Sequence, residues 1–216
     1  MAAVESRPVA VELVLAVDVS SSIDRDEYLL QIRGLVRALR SPDVIRAVEM
    51  AHGGVAISVM LWAGEKEQQQ RIPWMLAREA ADLEELAARV AGLNRIRIWG
   101  VTAIGEALSK AHRLFGNNGF QGARRVIDVS GDGRSNGGRP LHLARTTALA
   151  DGVVINGLAV VNDDPDLETY YREELIGGPG AFVMAIADFN DFEQAIRKKL
   201  IREIGVVGMV EAVPGR

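Results

Sequence analysis

The chain has 216 residues, 48% of them hydrophobic, with 25 Lys+Arg against 29 Asp+Glu, a net charge of −4 and no cysteine, the composition expected of a soluble globular chain of about one domain. The absence of cysteine excludes a disulfide scaffold, a zinc ribbon, an iron–sulfur cluster and a thiol nucleophile; a metal is left with oxygen donors or the three histidines, His52, His112 and His142. The acidic balance without a Lys/Arg block argues against nucleic acid as a partner, and no apolar stretch approaches the ~20 residues that span a bilayer.

Residues 1–8 read as a leader segment without the apolar core of a signal peptide, residues 9–204 as the domain and residues 205–216 as a tail. The compartment stays open between the cytoplasm and, if a targeting segment has been removed, export. Val11 to Val17 (VELVLAV) is a near-continuous apolar run, the mark of a strand buried on both faces. A helix follows over Asp24 to Arg40, with Tyr28, Leu29, Ile32, Leu35, Val36 and Leu39 on one stripe, an Asp24/Glu27 capping box at its start and Ser41-Pro42 at its end. Val55 to Ala63 is a second buried strand. GEKEQQQ reads as a hairpin loop, and Gln69 to Leu76 as a neighbouring edge strand, because Pro73 cannot donate to a ladder.

Leu83, Leu86, Ala87, Val90 and Leu93 space a second helical stripe, and Ile104, Ala107, Leu108, Ala111, Leu114 and Phe115 a third, closed by Gly116. Arg125 to Ser130 is a strand, Pro140 to Ala150 a helix with Pro in its first turn, Val153 to Val161 a strand and Ala181 to Ile186 the last strand. Phe192, Ile196, Leu200 and Ile201 mark a closing helix. About six strands alternate with about six helices, with no repeat and no linker. The fold class this predicts is α/β: one doubly wound, mostly parallel six-stranded sheet with one antiparallel edge strand and helices on both faces. Trp62, Trp74 and Trp99 read as packing residues at strand ends, with Trp99 nearest the cleft.

Ligands of open α/β sheets bind beyond the carboxyl ends of the strands, where strand order reverses. Asp18-Val19-Ser20-Ser21-Ser22 follows the first strand, Gly131-Asp132-Gly133 follows the Arg125 to Ser130 strand, and Trp99-Gly100-Val101-Thr102 precedes a helix between them. Carboxylates and hydroxyls from three loops, without His or Cys, suit a hard divalent cation, Mg²⁺ first and Mn²⁺ or Ca²⁺ after it. Asp18 with its serines is also what a helix cap looks like; the further acid and hydroxyl in matching order argue for more than a cap.

DVSSS resembles the Asp-x-Ser-x-Ser motif of the von Willebrand factor type A fold, which integrin inserted domains share. GVTAIGEAL resembles that family's threonine loop and VIDVSGDG its strand-and-aspartate segment. The likeness covers roughly Val9 to Ile204 and is strongest to an uncharacterised bacterial branch, often exported. The resemblance implies that Asp18, Ser20, Ser22, Thr102 and Asp132 form a metal-ion-dependent adhesion site, whose ion is completed by a Glu or Asp of a protein partner. Arg134, in the segment GRSNGG, puts a cation near that site and favours an acidic partner. The connection NDDPDLETYYREELIGGPG is longer than the family's usual one. Asp163, Asp164, Asp166 and Glu168 in it read as a solvated loop before a second cation site or partner-reading rim, because EF-hand spacing is absent.

Gly133-Arg134-Ser135-Asn136-Gly137 matches the G-x-S-x-G of hydrolases, but no histidine beyond His142 follows to serve as base. Gly131-Asp132-Gly133 lacks a third glycine and aims a carboxylate where a pyrophosphate would sit. A phosphoryl-transfer enzyme needs a second acid two residues after Asp18, where Ser20 stands. The function expected is non-catalytic, metal-dependent protein binding. A metal-assisted hydrolase or phosphatase, and a scaffold that uses no ion, are the alternatives.

Overall fold

The computed structural model describes residues 6–95 and 101–205. Six strands run in chain order: β1 (Arg7–Asp18), β2 (Val55–Trp62), β3 (Gln68–Ala77), β4 (Phe120–Gly131), β5 (Val153–Val160) and β6 (Val183–Ile186). Between and around them lie α1 (Arg25–Leu39), α2 (Pro42–Met50), α3 (Ala80–Ala91), α4 (Ile104–Leu114), α5 (Leu141–Ala150), the short α6 (Leu167–Tyr170) and α7 (Phe192–Gly205). The start of the leader, Trp99 and Gly100 of the threonine loop, and the tail beyond Gly205 lie outside the described residues.

The strand order is β3-β2-β1-β4-β5-β6, parallel throughout except for β3, which pairs antiparallel with β2 at the edge. β1 is central and buried continuously from Val9 to Asp18, because strands flank it on both sides and helices cover both faces. Leu13, Leu15 and Val17 point into a core closed by α1, α2, α3 and α7, while Val14 and Ala16 point into a second core closed by α4, α5 and the segment after β5. Strand order reverses at β1, and Asp18 and Gly131 are the last residues of adjacent β1 and β4. The crevice of the fold therefore opens where the sequence places its acids.

Local chemistry explains the boundaries. Asp24 Oδ1 accepts from the backbone N–H groups of Asp26 and Glu27, and the Glu27 side chain accepts from the Asp24 N–H, so the expected capping box starts α1. Ser41-Pro42 ends α1 and also starts α2, a helix the sequence reading leaves out: Ser41 caps it and Pro42 takes its first turn. Pro73 lies where the β2–β3 register slips between Ile57 and Val59, so its missing N–H removes no regular ladder bond. Trp62 is fully buried at the end of β2, and Trp74 packs on Phe115 and Phe120 while donating to the Leu114 carbonyl. After β5 the expected loop is helical, in α6 and a π turn over Tyr171–Leu175. Leu167, Tyr171 and Leu175, spaced by four, are buried against the sheet.

α7 brings charge into the core. Lys199 and Glu203 lie on its buried stripe with Ile196 and Leu200, and meet Asp128 of β4 and Asn156 of β5. Lys199 Nζ stands 3.1 Å from Asp128 Oδ1 and 3.4 Å from Glu203 Oε1, and donates to the Gly157 carbonyl. Asn156 Nδ2 donates to Glu203 Oε1. One base faces two acids, so burial, and after it the Asp128 charge, push the Glu203 carboxyl from 4.5 up to about 8.

A carboxyl that holds its proton more tightly folded than unfolded adds stability in full below its unfolded value, and that contribution is lost as pH rises toward about 8. The chain is therefore expected to lose melting temperature between about pH 5 and pH 9, and Glu203→Gln to flatten that decline. Lys199→Met leaves two buried acids without their cation and should cost about 3–5 kcal/mol in chemical denaturation.

Candidate functional site

Asp18 closes β1 and is fully buried, and its Oδ1 accepts from the Ser20 backbone N–H at 2.7 Å, turning the chain back over the strand end. Gln31 of α1 donates to the Asp18 carbonyl at 3.2 Å and fixes that turn from the helix side. Asp132, one residue past β4, is buried as well, and Ser22 Oγ donates to its Oδ1 at 2.8 Å. Ser20 Oγ lies 3.3 Å from Ser22 Oγ and 3.5 Å from Thr102 Oγ1. All five sequence-predicted residues are thus drawn into one chain of oxygens across three loops.

Two carboxylate oxygens, Asp18 Oδ2 and Asp132 Oδ2, are buried and accept no hydrogen bond from any described residue. Neither acid forms an ion pair among the described residues. Burial first, and then the neighbouring Asp132 charge, push the Asp18 carboxyl from 3.8 up to about 8, against the lowering effect of the Ser20 N–H. Burial also raises Asp132, against the Ser22 hydroxyl. Two stranded acid oxygens beside three hydroxyls form an all-oxygen donor set short of positive charge, and it fits a hard cation. Among the described residues no group of three or more His, Asp or Glu side chains is placed to hold a metal ion. His112 faces Asp151 instead, at 2.8 Å.

The loop after Asp132 supplies what sequence reasoning missed. Asn136 Oδ1 accepts from the Thr102 N–H at 2.7 Å and the Asn136 N–H donates to the Thr102 carbonyl at 3.0 Å, clamping the threonine loop to the aspartate loop. Asn136 sits inside the G-x-S-x-G decoy, whose Ser135 N–H donates to the Tyr170 hydroxyl. Arg134 does not stand as a free cation. Its guanidinium binds both oxygens of Asp164, with Nε–Oδ2 at 2.6 Å, and lies over the Tyr170 ring. That pairing also answers the second-site expectation. Asp164 is held by Arg134 and by the Asp166 N–H, and Glu168 pairs with Arg172, so the acidic run is a braced surface loop.

Strand order, the edge strand and the oxygen-lined crevice at the β1 and β4 ends define the class: the chain has the von Willebrand factor type A fold. Proximal thread matrix protein 1 from the mussel byssus, in a structure described as having a zinc-occupied MIDAS motif, superposes with a TM-score of 0.70 at 17% identity. That match covers 93% of this chain and 49% of the mussel protein, so the chain spans about half its length. The vWF domain of the type V pili tip protein Mfa5 from Porphyromonas gingivalis gives 0.67 at 11% identity, covering 95% of this chain and 98% of that one. A von Willebrand factor type A protein from Catenulispora acidiphila gives 0.60 at 17%, covering 91% and 43%. By sequence, the chain belongs to the family described as Protein of unknown function (DUF1194), matched over residues 8–207. No curated protein matches it.

Asn136→Ala removes the acceptor of the buried Thr102 N–H and is expected to cost about 1–3 kcal/mol in denaturant unfolding. A Cβ at residue 131 would stand 2.8 Å from both Asp18 Oδ2 and the Tyr171 hydroxyl. Gly131→Ala should therefore destabilise by about 1–3 kcal/mol through overpacking.

Proposed function

We propose that this chain is a non-catalytic protein-binding domain that works through a divalent cation. Asp18, Ser20, Ser22, Thr102 and Asp132 hold the ion, Mg²⁺ first by donor type, with Mn²⁺ or Ca²⁺ as substitutes. The observation that carries the reading is the pair of buried, unpartnered oxygens, Asp18 Oδ2 and Asp132 Oδ2. Burying acids without a counter-charge is costly, and a dication supplies the charge that no described basic side chain provides there. The zinc-occupied MIDAS motif of the mussel protein supports cation binding at such a site.

The partner group this arrangement suits is a carboxylate from a Glu or Asp. The hydroxyls add no charge, and with one of the two acids acting only through water a bound dication keeps affinity for an outside anion, whereas Arg134, already neutralised by Asp164, adds little. Among the described residues no helix is long and apolar enough to cross a membrane.

Titration calorimetry with Mg²⁺ and Mn²⁺ should show one site per chain, with binding abolished in Asp18→Ala and weakened about tenfold in Ser22→Ala. Binding unchanged in Asp18→Ala overturns the assignment. A partner captured from the source cell should be released by EDTA, and a phosphoester and ester screen with added Mn²⁺ should show no turnover.

A further inference from the structure

The segment after β5 sends one side chain beneath the floor of the site. Tyr171 opens the π turn and is fully buried in the core closed by α4 and α5. Its ring has ordinary apolar company and lies close on β5, where a Cβ on Gly157 would meet Tyr171 Cδ2 at 2.9 Å. Its hydroxyl does not share that company. It reaches Gly131, ending 2.8 Å from the position a Cβ there would take, and Asp18 Oδ2 lies 2.8 Å from the same point. Two oxygens that each lie 2.8 Å from one point stand no more than about 5.6 Å apart, a gap that one water spans with two O–H···O bonds.

Both atoms are buried, and neither has a hydrogen-bond partner among the described residues. They are complementary, since a phenol donates one proton and an ionised carboxylate only accepts. Packing alone does not account for the hydroxyl: phenylalanine would fill the same apolar space, whereas an unsatisfied buried hydroxyl costs about 1–3 kcal/mol. Gly131 fits the same picture, because any side chain there would occupy the gap between the two oxygens.

We propose that Tyr171 is a positioning residue of the cation site, its hydroxyl donating to Asp18 Oδ2 through one water. Ser20 fixes Oδ1 and Tyr171 fixes Oδ2, so the carboxylate is held at both ends and cannot rotate about its terminal bond. This rests on the reading of the site as cation-binding. Hydrogen bonds of this outer kind hold ligand side chains in orientation, and their loss typically lowers metal affinity about 10–100-fold.

The test is Tyr171→Phe, which keeps the ring and removes the oxygen. Calorimetry with Mn²⁺ should show a dissociation constant raised about tenfold, while the melting temperature of the ion-free protein stays at or above the parent's. Affinity equal to the parent's overturns the proposal, because a residue that only packs would leave binding untouched. A second measurement uses the unaltered binding machinery. With three tyrosines in the chain, ¹³C-tyrosine labelling gives a signal for Tyr171, assigned by elimination with Tyr28→Phe and Tyr170→Phe. That signal should move with Mg²⁺ at the midpoint of ion binding, and a signal unmoved at saturation overturns the proposal even if Tyr171→Phe does not fold. If the parent binds no ion, the cation reading itself falls and takes this inference with it. If the parent binds and Tyr171→Phe binds equally, only the role of Tyr171 falls.

Discussion

Two acids buried side by side at the end of the central strand pair, with no ion pair to meet them among the described residues, set the terms for everything around them. A carboxylate removed from water must find hydrogen bonds, a counter-charge or a proton. The surrounding chain answers with hydrogen bonds: the Ser20 N–H and the Ser22 hydroxyl each take one acid oxygen. Two oxygens are left over, and burial raises both carboxyls in response. The topology makes this crowding unavoidable. Where strand order reverses, the turns leaving β1 and β4 diverge to opposite faces, and whatever caps those strands shares one crevice.

The loops that meet there are tied to one another. Asn136 clamps the Thr102 loop to the Asp132 loop by two hydrogen bonds, Tyr170 reaches Ser135 from the segment after β5, and Arg134 reaches Asp164 in the same segment. Exposed ion pairs contribute little singly. Here the Arg134–Asp164 pair shares its loop with the Tyr170–Ser135 contact and the Asn136 clamp, so position is fixed by several bonds at once. The connection that is long in sequence is short in freedom, because Leu167, Tyr171 and Leu175 anchor it to the sheet.

What could be read from sequence followed from local and periodic signals. Apolar runs and four-residue stripes marked the strands and most helices, and Pro73 marked the edge, because each constraint acts along a few neighbouring residues. Asp18, Ser20, Ser22, Thr102 and Asp132 were legible because a motif keeps them in fixed order at strand ends. Asn136 was not, since an asparagine among glycines looks like any turn and its partner lies 34 residues away. Arg134 was read as a cation favouring an acidic partner because nothing local shows that Asp164 folds back onto it. α2 was lost because Ser41-Pro42 serves as a stop and a start at once. Lys199 and Glu203 did leave a trace, as charges on an apolar stripe. Only the sheet beneath them explains why they are tolerated.

β4 handles acid in two ways along its length. At Asp128 the opposing ammonium belongs to the same polypeptide, delivered by α7 and sealed in the core, so dialysis or dilution cannot remove it. At Asp132, beyond the strand end, the described residues supply a hydroxyl but no ion pair, and one carboxylate oxygen is left without a partner among them. The middle of the strand therefore needs no counter-ion from the fluid around the molecule, while at its tip no described residue supplies one. One backbone thus carries a paired acid and one without an ion pair among the described residues, four positions apart.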